Sequence, residues 1–216
     1  MKLTAKLDKI AEDIRLSLES KDRAREKALP LSRDAIRSCA NAIRAVHRHE
    51  FAEAKEMLAS ARKMLREARV VVKECGELAN TGFIRDAEKE YAEGSAVLAL
   101  VTGRPVPHPD KLRVDHAAYL NGLGEAVGEL RRYILDGLRK GDTGRGEELL
   151  LAMDDIYNIL VTMDFPDALT GGLRRTTDNV RGILEKTRGD LTLMLTEKNL
   201  EAKLTKLKGK ISPSGD

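Results

Sequence analysis

Apolar residues along this chain recur at intervals of three and four, the spacing of one helix face. Between residues 4 and 28 the row is Leu7, Ile10, Ala11, Ile14 and Leu18. Pro30 then removes a backbone donor and disfavours helical geometry at Leu29, so a break or kink is expected there. A second helix is expected from about Leu31 to His49, with Ile36, Cys39, Ala40, Ile43 and Val46 inward. A third runs from about Phe51 to Glu74, with Ala54, Met57, Leu58, Ala61, Leu65 and Val72 inward. Gly76 and the trio Asn80, Thr81 and Gly82 punctuate the pattern before a fourth helix, about Phe83 to Thr102.

Gly103 to Pro109 is the clearest loop, because prolines 105, 107 and 109 exclude a helix across it. Asp115 is placed to cap a helix of about His116 to Lys140. Residues 141–144 read as a turn, a further helix covers about Arg145 to Met163, and a last one starts near Asp167 and runs past Leu200. No stretch alternates as a strand would. The expected fold is all-α: one bundle of six to seven helices without a sheet, a single domain over residues 1–207, and a disordered tail from Lys208 to Asp216.

Composition agrees with that reading. The 216 residues are 42% hydrophobic and 34% charged, with no Trp and only 3% aromatics, which favours helix and argues against base stacking as a main binding force. Cys39 and Cys75 make no metal or redox spacing and are expected to pack as small hydrophobes. No apolar run reaches the ~20 residues of a membrane span, and Met1 to Thr4 do not begin a secretory leader. A cytoplasmic protein with no membrane partner is expected.

Net charge is only +3, but it is unevenly spread: residues 21–73 hold 14 Lys/Arg against 7 Asp/Glu, and residues 74–101 hold 2 against 6. In the basic block Arg33, Arg37, Arg44 and Arg48, with Asn41, fall within a stripe roughly 80° wide on one helix. A row of guanidiniums suits the repeated charge of a phosphate backbone; the bland alternative is a solvated face. In the acidic block Asp86, Glu90 and Glu93 share a face about 60° wide, and Glu125 and Glu129 sit four apart on a later helix beside Arg132. Stacked carboxylates repel unless they are solvated or hold a cation, and Mg²⁺ or Mn²⁺ prefers such oxygen ligands. Surface helices also carry this spacing. Gly122, Gly124 and Gly128 interrupt the same helix, each less favourable there than Ala by ~1 kcal/mol, which close approach of another backbone would explain; Gly94 beside Glu93 fits the same picture. No Glu-x-x-His supports a di-iron bundle. The helix after Glu90 and Glu93 lacks the second half of a pyrophosphohydrolase pattern. No P-loop or nucleophilic triad stands out.

The segments Leu31–Arg37 and Val46–Arg48, the motif Glu90–Glu93, the run Tyr119–Arg132, and the C-terminal stretch from Asp164 through Leu173–Arg181 to Glu185 and Lys186 occur in an order that resembles the translin superfamily. The two acidic motifs resemble those of its translin-associated factor X (TRAX) branch, and the absence of the long insert of animal members points to a compact microbial type. The resemblance covers about residues 20–195. It implies a helical subunit that assembles, as a homo-octamer, around RNA. In the TRAX branch it implies a Mg²⁺-dependent endoribonuclease with Glu90, Glu93, Glu125 and Glu129 as metal-binding and catalytic residues and Arg132 steadying charge. Glu125 stands where that branch has Asp. The other class of function it allows is a non-catalytic binder of RNA or single-stranded DNA.

Overall fold

The computed structural model describes residues 4, 6–73, 75, 82–142 and 144–211, the side chains of 209–211 excepted. The described residues form helices and no strand. Six are long: α1 (Leu7–His47), α2 (Phe51–Val72), α3 (Gly82–Val101), α5 (His116–Arg139), α6 (Gly146–Val161) and α8 (Leu173–Ile211). Two are single turns, α4 (Pro109–Leu112) and α7 (Asp167–Thr170). No described helix is long and apolar enough to cross a membrane. The chain groups into two compact units, Met1–Gly122 and Leu123–Asp216, and the division falls inside the unbroken α5.

In the first unit α1, α2 and α3 pack on one another. Their inner faces are built from small residues. The α1 face is Ala28, Ser32, Ala35, Cys39, Ala42, Ala45 and Val46, and the α2 face alternates Ala54, Leu58, Ala61, Leu65, Ala68 and Val72. Alanine-coated faces let helices approach closely, which is why a core with so few aromatics still closes. In the second unit Leu149, Met153, Ile156 and Leu160 of α6 and Leu173, Val180, Leu184 and Leu191 of α8 form the buried rows. Arg131 fastens α5 to α8 through Asp190 (2.8 Å) and Thr187 (3.1 Å).

The structure corrects several sequence expectations. The two helices expected on either side of Pro30 are one, since α1 runs through the proline. Ala28 before it and Ser32 and Ala35 after it are buried on one face, so packing along the whole face outweighs one lost hydrogen bond. The proline-rich loop ends at His108. Pro109 opens α4 at a first-turn position, where a missing N–H costs nothing, and His108 Nδ1 accepts from the Asp110 N–H at 3.3 Å. The expected single last helix is divided into α7 and α8 by Gly171 and Gly172, with φ of 62° and 84°. Lys208 continues α8, so the expected tail is helical as far as Ile211. The Asp115 cap is present: its Oδ1 accepts from the Ala117 and Ala118 N–H groups at 3.0 and 3.3 Å. Glu74, Gly76, Asn80, Thr81, Thr143 and residues 212–216, on which other expectations fall, lie outside the described residues.

Candidate metal centre

Glu90 and Glu93 project from α3 one turn apart, Glu90 half-buried and Glu93 8% exposed. Helix α5 crosses beside them. A Cβ added to Gly122 would lie 2.6 Å from the Lys89 carbonyl oxygen, 2.9 Å from Ala92 Cβ and 3.0 Å from the Glu93 nitrogen, so only glycine lets the α5 backbone come this near to α3. Three residues further along the same helix, on nearly the same side, stands Glu125. One carboxylate oxygen from each of Glu90, Glu93 and Glu125 lies within 4.8 Å of the other two.

Gly94, next to Glu93, packs closely on α1 and α2. A Cβ on Gly94 would meet Leu58 Cδ2 at 3.0 Å and Ile43 Cγ1 at 3.7 Å. Burial pushes the Cys39 thiol of α1 well above its ordinary range, and the charges of Glu90 and Glu93 push it further the same way. The three oxygens are the converging ligand atoms. Octahedral Mg²⁺ at about 2.1 Å from each oxygen sets neighbouring ligands about 3.0 Å apart and opposite ones about 4.2 Å apart. Three ligands include at most one opposite pair, so oxygens spread to 4.8 Å would close by up to about 1.8 Å, a movement within the reach of glutamate side-chain rotation.

The other expected site residues are placed differently. Glu129 is not one of the three converging acids; its carboxylate lies 3.8 Å from Arg132, which also sits 4.0 Å from Asp136 and is exposed. Asp86 is exposed. Arg33, Arg37, Arg44 and Arg48 are all exposed on the side of α1 away from its buried row. Arg37 pairs with Asp34 (3.3 Å), Arg44 bonds Asn41 (2.8 Å) and Arg48 pairs with Glu50 (2.5 Å). Gly124 is as tight as Gly122, since a Cβ there would meet Thr176 Cγ2 at 2.3 Å, whereas Gly128 has only Ile183 at 4.0 Å.

Sequence reasoning missed a second basic row. Arg62, Arg66, Arg69 and Lys73 of α2 recur at four, three and four residues, which sets them on one face. With Lys63, Arg113, Leu65 and Tyr91 they line a cleft of about 720 Å³. Glu88, 4% exposed, lines the adjoining cleft and accepts from Arg69 Nε and from the Asp115 N–H, both at 2.8 Å. The spacing is the signal in the sequence; it is hidden within the general basic excess of residues 21–73.

The fold and the acidic cluster can be set beside known proteins. No family model matches the chain. A solved structure of the Archaeoglobus C3PO in complex with duplex RNA superposes with a TM-score of 0.80 at 32% identity, over 87% of this chain and 97% of that one. The chain belongs to the translin superfamily, as a TRAX-like member. A second Archaeoglobus C3PO structure gives 0.79 at 31% identity over the same shares. The Neurospora C3PO, at 19% identity and a TM-score of 0.72 over 90% of this chain and all of that one, shares the fold. An uncharacterized protein of Methanocaldococcus jannaschii is 29% identical over 196 residues, 88% of this chain and 85% of that protein. The all-helical translin fold expected from the motif order is therefore the fold of this chain.

Proposed function

We propose that this translin-superfamily chain binds RNA and cuts it as a Mg²⁺-dependent endoribonuclease, working as a homo-oligomer. The observation that carries the reading is the convergence of the Glu90, Glu93 and Glu125 carboxylates. RNA as substrate is supported by the Archaeoglobus relative, which is described in complex with duplex RNA. Glu90, Glu93 and Glu125 would hold Mg²⁺ or Mn²⁺, which when bound supplies charge stabilisation at phosphate and a water acidic enough to attack it. Glu129, one helical turn on from Glu125, and its partner Arg132, 3.8 Å away, are the further residues we assign to the site, Arg132 to steady charge on the phosphate. Arg33, Arg37, Arg44 and Arg48 offer an exposed guanidinium row for the RNA backbone, or for single-stranded DNA.

The oligomer reading rests on surfaces the chain leaves bare. Leu7, Ile10, Ile14 and Leu18 at the start of α1 and Leu193, Leu200, Leu204 and Leu207 late in α8 are 49–61% exposed. Such rows of large apolar residues mark contact surfaces. Leu173, Val180 and Leu184, earlier along α8, are buried in the chain's own core. A subunit of 23.9 kDa predicts about eight times that mass for an octamer by light scattering; a monomer at micromolar concentration refutes the assembly.

The experiment that tests the chemistry is cleavage of an end-labelled RNA in Mg²⁺ against EDTA. Glu93→Gln and Glu125→Gln should abolish cleavage and leave RNA affinity unchanged or higher, since each removes a negative charge near a polyanion. Wild-type binding without cleavage in Mg²⁺ or Mn²⁺ would put the non-catalytic reading in its place. For the α1 row, Arg33→Ala with Arg37→Ala should flatten the salt dependence of binding by about two contacts; an unchanged slope removes these residues from the interface.

A further inference from the structure

The α2 cleft is the strongest feature that the proposed chemistry leaves unused. Its position relative to the acids follows from the register of α3. At ~100° per residue, Glu88 and Tyr91, which border the basic clefts, lie about 160° around the helix from Glu90 and Glu93. The basic clefts therefore border a different side of α3 from the one that carries Glu90 and Glu93.

Three observations give the cleft a ligand. Arg62 is anchored by donating to the Lys111 carbonyl at 3.0 Å and Arg69 by its pairing with Glu88, whereas the side chains of Lys63, Arg66, Lys73 and Arg113 have no hydrogen bond or ion pair among the described residues. Like charges at three- and four-residue spacing oppose one another on a helix, so the row is unfavourable until an anion joins it. Arg113 also has a φ of 59° in the left-handed region, at the C-terminal cap of α4. Glycine would be less strained there by about 1 kcal/mol, yet the residue is an arginine whose side chain lines the cleft.

The shape of the row selects the kind of anion. From Arg62 to Lys73 the helix rises about 16 Å. Over that length one strand of a duplex presents about five phosphates. A lone phosphate would satisfy one or two of these cations and leave the remainder opposed, whereas a strand engages the row along its length. Guanidiniums at three of the four positions suit bidentate capture of phosphate oxygens.

We propose that the cleft formed by Arg62, Arg66, Arg69 and Lys73 of α2 with Arg113 is a second phosphate-binding site, which grips the sugar–phosphate backbone of a nucleic acid at a distance from the bond that is cut. This rests on the RNA-binding half of the proposed function and not on cleavage. The site holds the strand and does no chemistry, so its loss raises the RNA concentration needed for half-maximal cleavage and leaves the saturated rate in place.

The test uses the full-length chain and a fluorescein-labelled duplex RNA read by anisotropy across a salt series. The triple variant Arg66→Ala, Lys73→Ala, Arg113→Gly should bind at least tenfold more weakly at 0.1 M salt, with the slope of log K against log salt reduced by about two to three. Arg113→Gly alone should melt no lower than wild type, because it relieves the left-handed strain, while still weakening binding; this separates a binding role from a structural one. Inorganic phosphate and AMP should compete only at millimolar concentration. If wild type binds RNA and the triple variant matches its affinity and slope, the cleft inference falls and the RNA reading stands. Micromolar AMP binding lost in the triple variant would assign the cleft to a small phosphate, and a changed oligomer mass in that variant would assign the cations to a subunit contact; either overturns the proposal. If wild type binds no RNA at all, it is the proposed function that fails.

Discussion

Replacing Glu93 by Gln should make the metal-free protein more stable and the Mg²⁺-loaded protein less so. The three carboxylate oxygens lie within 4.8 Å of one another. At that distance and an effective dielectric of about 20, each pair of charges opposes by about 3.5 kcal/mol. Glu93 belongs to two of the three pairs, so about 7 kcal/mol is the scale of the repulsion at that spacing before screening by water. Glu90 and Glu125 are only half-buried, and both can swing toward water, so an observed gain of about 1–3 kcal/mol is expected in EDTA. For a chain of this size that is a rise in Tm of about 3–10 °C. The sign reverses when Mg²⁺ is added. Wild type then gains about 2.7 kcal/mol at a hundredfold excess over its dissociation constant, while the variant has lost a ligand and gains less. Thermal melts of both proteins in EDTA and in millimolar Mg²⁺ should therefore cross. Glu129→Gln, which lies outside the converging trio, should leave the EDTA melt within about 2 °C of wild type. A Glu93→Gln protein no more stable than wild type in EDTA, or equal Mg²⁺ shifts in the two, would refute the reasoning that these acids are gathered for a cation.

Further predictions come from packing and burial. Gly122→Ala should lower Tm by several degrees, because its Cβ would sit 2.6 Å from the Lys89 carbonyl oxygen and overpacking of about 1–3 kcal/mol exceeds the helix-propensity gain. Gly128→Ala has only Ile183 at 4.0 Å, so the same substitution should raise Tm by about 2–4 °C; equal melts for the two variants would show that the contact between α3 and α5 is not tight. Glu88→Ala should cost about 2–3 kcal/mol, since it strands the Arg69 guanidinium and the Asp115 N–H; chemical denaturation with no change in midpoint would contradict this. Cys39 should resist iodoacetamide at pH 8.5 in the folded protein, because burial and the two glutamates keep its thiol protonated above the pH at which an ordinary cysteine ionises. Half-buried Cys75 should react first, and mass spectrometry showing the opposite order would refute the assignment.

The helices were legible because a 3.6-residue period is a local property of the chain. The start of α2, the Asp115 cap and the end of α5 fell within a residue or two of expectation. Pro30 misled because its local effect is real, and what overrides it is burial of Ala28, Ser32 and Ala35 against elements far along the chain. Gly171 and Gly172 were readable as a helix break but were passed over inside an apolar run. The convergence of Glu90, Glu93 and Glu125 was half legible: period placed each pair on a face, and the glycines suggested a close crossing, but only the fold supplies the register by which Gly122 meets Ala92. The role of Arg113 was not legible, because its left-handed backbone depends on a four-residue helix that the proline content had seemed to exclude.

The partition of charge around α3 is itself an argument for function. Acidic and basic clusters that can meet in a folded chain ordinarily do, since pairing relieves both. Here Glu88 meets Arg69, and by the helical period a rotation of α3 by about half a turn would bring Glu90 and Glu93 to the same α2 cations. That register is prevented by the buried stripe of Ala87, Ala92, Ala96 and Val97, which fits the small-residue faces of its neighbours, and by Gly122 locking α5 against Ala92. The packing therefore keeps the Glu90 and Glu93 face of α3 turned from the α2 cations. A fold selected for stability alone would have no reason to do so. The proposed function, carboxylates presented to a cation and guanidiniums to phosphate on separate faces, supplies one.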